Sequence, residues 1–205
     1  MIVKICGLMN KEDVTAAVEA GADYLGFVFA KSKRRITYEQ AGKMSEDVPL
    51  HVKKVGVFVN PEMSEIEEAI RIAGIDLIQL HGDESPEFCR EMKKPVIKAV
   101  SIHSEEDVLK FEKYDVHHVL ADAPGTAYRG GSGHSFDWNY LSHNDHHEQL
   151  ILAGGLTPEN IQQAINEVKP AGVDVSSGVE TNGKKDHQKM KQFVKNAKQT
   201  GSEMI

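Results

Sequence analysis

Eight short runs of Val, Ile, Leu and Phe, each followed by an amphipathic segment, predict an α/β fold, a single (β/α)8 TIM barrel over residues 1–205. The runs are Ile2 to Cys6, Tyr24 to Phe29, Lys53 to Val59, Leu77 to Leu80, Val96 to Val100, His118 to Asp122, Leu150 to Ala153, and Val173 to Ser176. They are near-continuously apolar rather than alternating, as strands of a parallel sheet covered by helices must be. Periodicity alone also permits an open doubly wound sheet, and the positions of the chemically suggestive residues decide between the two. Cys6 closes the first run, Arg34 follows the second, His81 the fourth, and Asp122 ends the sixth, while Gly154-Gly155 and Ser176-Ser177-Gly178 follow the last two. Only a closed barrel gathers the C-terminal ends of all those strands around one mouth. The length, 205 residues, lies near the low end of the roughly 200 to 400 over which such barrels occur.

The segments between the runs carry their own boundaries. Ser85-Pro86-Glu87 and Thr157-Pro158-Glu159 each put a capping hydroxyl before a proline suited to the first helical turn. Thr37 to Gln40 and Ser104 to Asp107 have the spacing of a reciprocal cap. Gly21 and Gly74 follow amphipathic stretches, where a left-handed terminal residue is least strained as glycine.

The formal charge of −7 argues against general nucleic-acid binding, which relies on clustered Lys and Arg, so an anionic ligand must be met by a local site. No run approaches the roughly 18 apolar residues of a membrane span, and Met1 to Ile5 is too short for a secretory leader, so a cytoplasmic protein without membrane attachment is expected. Cys6 and Cys89 are too few for a disulfide framework or a zinc site. Whether the chain is a monomer or a homodimer is not readable from these features.

Phosphate binding is the most legible chemistry. Small residues after strands seven and eight, here Gly154-Gly155 and Ser176-Ser177-Gly178, let backbone N–H groups approach an anion at the recurrent phosphate position of barrels. Glycines in tight turns with positive φ explain either half alone. Cys6 has Gly7 behind it, which leaves the thiol room to face a ligand, and a neighbouring positive charge would supply thiolate at neutral pH; the competing reading is a small buried hydrophobe. Cys89, inside a helical stretch, fits that second reading. Asp122 ends a strand where poor solvation favours an acid's proton, against the alternative of an aspartate capping its loop. The glycine-rich loop from Ala123 to Gly133 is long enough to cover a site, but Gly130-Gly131-Ser132-Gly133 is followed by His134 instead of the Lys-Ser/Thr of a nucleotide loop, so nucleotide hydrolysis is rejected. Lys31-Ser32-Lys33-Arg34-Arg35 is a basic run facing the mouth, from which one guanidinium can clamp a carboxylate through paired hydrogen bonds. His143, His146 and His147 precede strand seven, on the side of the barrel away from the chemistry, and read as a solvated loop rather than a metal site.

Taken in order, Lys4-Ile5-Cys6-Gly7, Gly26-Phe27-Val28-Phe29, Lys31-Ser32-Lys33-Arg34, Val55-Gly56-Val57-Phe58-Val59-Asn60, Gln79-Leu80-His81-Gly82, Gly130-Gly131-Ser132-Gly133 with Phe136-Asp137-Trp138, Ala153-Gly154-Gly155-Leu156 and Val173 to Glu180 resemble the phosphoribosylanthranilate isomerases of tryptophan biosynthesis, from Lys4 to about Ala197. The resemblance implies an Amadori rearrangement of the small-molecule substrate N-(5-phosphoribosyl)anthranilate to an aminodeoxyribulose phosphate, without metal or organic cofactor. It implies Asp122 as the general acid at the ring oxygen and Cys6 as the general base at C2. It also implies Arg34 at the anthranilate carboxylate, Gly155 and Ser177 within the phosphate loops, Asp174 as a supporting residue, and His81 as a wall of the site. The chain departs from the family pattern at Ala121, where a larger aliphatic is common, and at His134, where lysine is common. Two alternatives stand beside this reading: the related aminosugar-phosphate isomerisation of histidine biosynthesis, and a catalytically silent barrel that only binds a phosphorylated ligand. Barrels of the histidine pathway resemble paired halves, each with its own aspartate. Here strand one ends in Cys6 and no half-repeat is visible.

Overall fold

The computed structural model describes residues 1–123, 137–141 and 147–202. Eight parallel strands close into a barrel in sequence order: β1 (Ile2–Cys6), β2 (Tyr24–Val28), β3 (Lys53–Phe58), β4 (Leu77–Leu80), β5 (Val96–Ser101), β6 (His118–Asp122), β7 (Leu150–Leu152) and β8 (Gly172–Val175). The closing pair is β1 with β8, in which Lys4 faces Asp174. The predicted runs all form strands, with ends displaced by a residue, as at Phe29, Val59, Ala153 and Ser176.

The helices α1 (Lys11–Ala20), α2 (Tyr38–Met44), α3 (Met63–Ala73), α4 (Pro86–Arg90), α5 (Ile161–Val168) and α6 (His187–Ser202) follow β1 to β4, β7 and β8. Their boundaries have local causes. Gly21 and Gly74 end α1 and α3 at φ of 90° and 61°, and Ser85 caps α4 with Pro86 in its first turn. Thr37 and Gln40 cap α2 reciprocally, the Gln40 amide oxygen accepting from the Thr37 N–H at 2.8 Å.

Two expectations change. Thr157 carries the expected capping bonds, but the regular helix starts later: the Thr157 hydroxyl accepts from the Glu159 N–H, the Asn160 side chain accepts from the Thr157 N–H and the Thr157 carbonyl accepts from the Ile161 N–H, a turn that leads into α5 at Ile161. After β5, Glu105–Lys113 winds as a 3₁₀ segment in place of an α-helix, with Asp107 accepting from the N–H groups of His103 and Ser104. A short antiparallel hairpin, β9 (Glu180–Thr181) and β10 (Lys184–Lys185), follows β8 and turns at Asn182-Gly183, whose φ angles of 52° and 75° suit this dipeptide.

Period-two alternation divides the apolar residues into two sets. One, including Val3, Ile5, Leu25, Phe27 and Leu152, packs outward against helix residues such as Val14, Ile66, Ile165 and Phe193. The other, Tyr24, Val55, Leu77, Ile97, Ala99, Leu120, Ile151 and Ala153, fills the barrel interior. This filled interior makes the lower part of the barrel a floor, so the residues at the strands' C-terminal ends face a cavity above it. No helix among the described residues is long and apolar enough to cross a membrane.

Candidate active site

A cavity of about 430 Å³ opens at the C-terminal mouth, lined by Cys6, Arg34, His81, Asp122, Gly154, Gly155, Asp174, Ser176, Ser177 and Gly178 together with Lys31, Ser32, Gln79 and aliphatic residues. Every site residue expected from the sequence therefore converges on one space. The loop from 124 to 136, with Gly130 to Gly133 and His134, and the histidines His143 and His146 lie outside the described residues; His147 is half-buried in the turn before β7. Cys89 is buried in α4, away from the cavity.

Cys6 projects inward from β1 with Lys4 two residues earlier on the same face. The fully buried Lys4 ammonium lies 2.9 Å from Asp174 Oδ1. Burial works against that charge, but Asp174 and Cys6 outweigh it and hold the lysine above its ordinary pKa. For the thiol the balance reverses. Burial is the largest influence and raises Cys6, Lys4 and Lys185 pull it down, and Asp174 pushes it up, with a raised pKa as the outcome. The positive neighbours expected from the sequence are present, yet in the free protein they do not overcome burial, so neutral pH favours the thiol.

Asp122 is 4% exposed and sits at the C-terminal end of β6. Its Oδ1 accepts from the Ala123 N–H at 2.9 Å, and its Oδ2 lies 3.2 Å from His81 Nε2, which has no hydrogen-bond partner among the described residues. Gln79 Nε2 lies 3.1 Å from His81 Nδ1. With the amide donating there, the neutral ring carries its proton on Nε2, toward Asp122. The loop bearing His81 is held from below: the Lys98 ammonium donates to the carbonyls of Leu80, Gly82 and Ala99 and to Glu84, whose carboxylate accepts from the Gly82 and Asn60 N–H groups.

The predicted phosphate loops are adjacent. Gly154 and Gly155 both have positive φ, at 81° and 66°, and Asn160 Nδ2 donates to the Gly155 carbonyl at 2.9 Å. Gly178 is required for a different reason: any Cβ there would overlap the Leu156 carbonyl oxygen, so the two loops touch backbone to backbone. Ser176 Oγ donates to the Cys6 carbonyl at 3.1 Å, tying the last loop to the first strand.

Arg34 is 6% exposed while its neighbours Lys33 and Arg35 point to solvent, which singles out one guanidinium from the basic run. Its paired hydrogen bonds go to Glu180, from Nε to Oε1 at 2.6 Å and from Nη2 to Oε2 at 2.9 Å. The guanidinium thus already holds one carboxylate of the protein itself, a partner the sequence did not indicate. Lys185 Nζ, also buried, donates to Glu180 Oε1 at 3.0 Å and to the Ser176 carbonyl at 2.8 Å. Burial acts to raise the Glu180 carboxyl, but Arg34 and Lys185 prevail and hold it down at about 2. Burial lowers the Lys185 ammonium, against the attraction of Glu180.

Sequence reasoning gave no role to Lys4, Gln79, Glu180 or Lys185. For Lys4 and Gln79 a signal existed, since each interrupts an apolar strand on the face that carries the site residue two positions later, Cys6 and His81. For Glu180 and Lys185 the Asn182-Gly183 hairpin turn between them was the available sign.

The model of the N-(5'-phosphoribosyl)anthranilate isomerase family matches residues 3–196. The N-(5'-phosphoribosyl)anthranilate isomerase of Listeria innocua is 48% identical over 202 residues, covering 98% of this chain and all of that protein, and its counterpart from Bacillus mycoides is 47% identical over 201 residues, covering 97% and 98% (100% of the Listeria protein). A crystal structure of phosphoribosyl anthranilate isomerase from Thermotoga maritima superposes with a TM-score of 0.87 at 43% identity, over 97% of this chain and 100% of that one. A structure of such an isomerase in complex with reduced 1-(o-carboxyphenylamino)-1-deoxyribulose 5-phosphate superposes at 0.85 with 43% identity and the same coverage. With the motifs in register on the strands and the match running through nearly the whole chain, the protein belongs to the N-(5'-phosphoribosyl)anthranilate isomerase family.

Proposed function

We propose that the chain, as one barrel domain, catalyses the Amadori rearrangement of N-(5'-phosphoribosyl)anthranilate to 1-(2-carboxyphenylamino)-1-deoxyribulose 5-phosphate in tryptophan biosynthesis. The observation that carries this reading is the convergence of Cys6, Asp122, Arg34 and both small-residue loops on one cavity. That set supplies an acid, a base and separate places for a carboxylate and a phosphate.

Asp122, as the acid, donates its proton to the furanose ring oxygen. The C1–O bond breaks and C1 forms a Schiff base with the anilino nitrogen. The Cys6 thiolate then removes the C2 proton, and the resulting enol tautomerises to the C2 ketone as C1 gains a proton. Solvent takes the thiol's own proton before Cys6 acts and returns one to Asp122 after it, so the cycle closes with no net change in the enzyme. The iminium cation of the first intermediate lies beside C2 and adds positive charge next to the thiol, offsetting the burial that keeps Cys6 protonated in the free protein. The phosphate is held by backbone N–H groups of Gly155, Ser177 and Gly178, with Gly154 and Ser176 shaping the loops, and the anthranilate carboxylate by Arg34. Asp174 anchors Lys4 beneath the thiol, and His81 faces the acid. Each proton transfer contributes on the order of 10² to 10⁴ in rate.

Purified protein mixed with freshly generated phosphoribosylanthranilate should extinguish the anthranilate-type fluorescence at a rate proportional to enzyme. An inert result there, with turnover of the histidine-pathway aminosugar phosphate, would reassign the substrate. Inertness toward both, with retained binding, would leave a silent barrel.

A further inference from the structure

We propose that Glu180 is a positioning residue that fixes the Arg34 guanidinium for a carboxylate ligand and thereby sets the site's preference for a carboxylate-bearing substrate. The proposal rests on the isomerase reading for the identity of that ligand, and on geometry for everything else.

A guanidinium has a side-on edge, formed by Nε and one terminal nitrogen, and an end-on edge formed by the two terminal nitrogens. Glu180 takes the side-on edge of Arg34 with bonds of 2.6 and 2.9 Å. A second carboxylate in the cavity then meets the end-on edge, in a plane that Glu180 has already defined. The stem is confined as well: a Cβ on Gly7 would collide with Arg34 Cδ, and the Arg34 N–H donates to Ser32 Oγ at 3.1 Å. One long side chain is thus ordered before the ligand arrives, which removes an entropic cost from binding.

Charge balance requires a further group. Two carboxylates on one arginine would repel each other, and the buried Lys185 ammonium, 3.0 Å from Glu180, supplies the second positive charge. Arg34, Lys185, Glu180 and the ligand carboxylate together sum to neutrality. Without Glu180, Arg34 at the cavity and the buried Lys185 behind the Ser176 loop would be two cations with neither orientation nor compensation, a setting that attracts anions in general and selects none.

The test compares two ligands by calorimetry: reduced 1-(2-carboxyphenylamino)-1-deoxyribulose 5-phosphate and its anilino counterpart, which keeps the phosphate and the sugar but lacks the carboxylate. Glu180→Gln should weaken the carboxylate-bearing ligand by about tenfold or more while shifting the anilino ligand by less than about threefold. Should E180Q fail to fold, Glu180→Asp, which keeps the charge but withdraws it by one methylene, should produce a smaller loss in the same selective direction. Equal losses for both ligands would make Glu180 mere support for the loop, and no loss for either would remove it from recognition; either result overturns the proposal. Wild-type turnover of phosphoribosylanthranilate judges the isomerase reading separately, since the affinity ratio reports on Glu180 whether or not turnover occurs.

Discussion

Gly26 lies against the Cys6 thiol: the two residues are register partners across β1 and β2, and a Cβ at position 26 would come within 2.8 Å of Cys6 Sγ and 2.9 Å of Cys6 Cα. The thiol occupies space that a side chain on the neighbouring strand would otherwise fill. Gly26→Ala should therefore displace Sγ from the cavity. An overpacked interior costs about 1–3 kcal/mol, which a shift in urea midpoint would report, and kcat should fall further than affinity for a product analogue does. An alanine variant with full activity would show that the thiol's position is not set by this contact.

Arg34→Ala removes the proposed partner of the ligand's carboxylate and leaves Glu180 with Lys185. KM should rise by about tenfold or more, with a smaller change in kcat, because the carboxylate is bound alike in ground and transition states. A fall confined to kcat in steady-state assays would contradict the carboxylate role.

Because burial raises the Cys6 thiol in the free protein, the thiolate fraction increases with pH through and beyond neutrality. The rising limb of kcat/KM should accordingly lie on the alkaline side of neutral, and substitution of Lys4 by Met should push it further up by removing a cation that favours the thiolate. A profile flat from about pH 6 to 9 would argue against a thiol base.

Glu180 has a depressed carboxyl, about 2 against an ordinary 4.5. A group whose folded pKa is lowered stabilises the fold fully above its unfolded pKa and loses that contribution as pH falls toward the folded value. Stability of the wild type should hence decline between about pH 4.5 and 2 more steeply than that of Glu180→Gln, which has no proton to bind there. Thermal midpoints across that range check this, and parallel curves would contradict it.

The architecture was legible because the strands are near-continuous apolar runs and the site residues end or follow those runs in order, from Cys6 to Ser177. The loops at Gly154-Gly155 and Ser176 to Gly178 were legible for the same reason, since small residues at two particular strand ends have few other uses. The ion network was not. Arg34 and Glu180 are separated by 146 positions, and nothing in the spacing of either shows that they meet; closure of the barrel between β8 and β1 brings the hairpin over the loop after β2. The same closure pairs Lys4 with Asp174, so a lysine that reads as a flaw in a strand becomes a buried cation next to the thiol. At Thr157 the capping hydroxyl was legible, but not the turn through Asn160 that delays the regular helix to Ile161.

Under the proposed mechanism Asp122 and Cys6 act as acid and base on one bound sugar. Its most direct test is the fluorescence assay on fresh phosphoribosylanthranilate with wild type, Asp122→Asn and Cys6→Ser side by side, alongside product-analogue affinity. A kcat loss of about 10² to 10⁴ is expected in each variant with affinity nearly unchanged, since an amide cannot donate the acid's proton and a hydroxyl is too weak a base. Undiminished kcat in either variant would remove that residue from the mechanism.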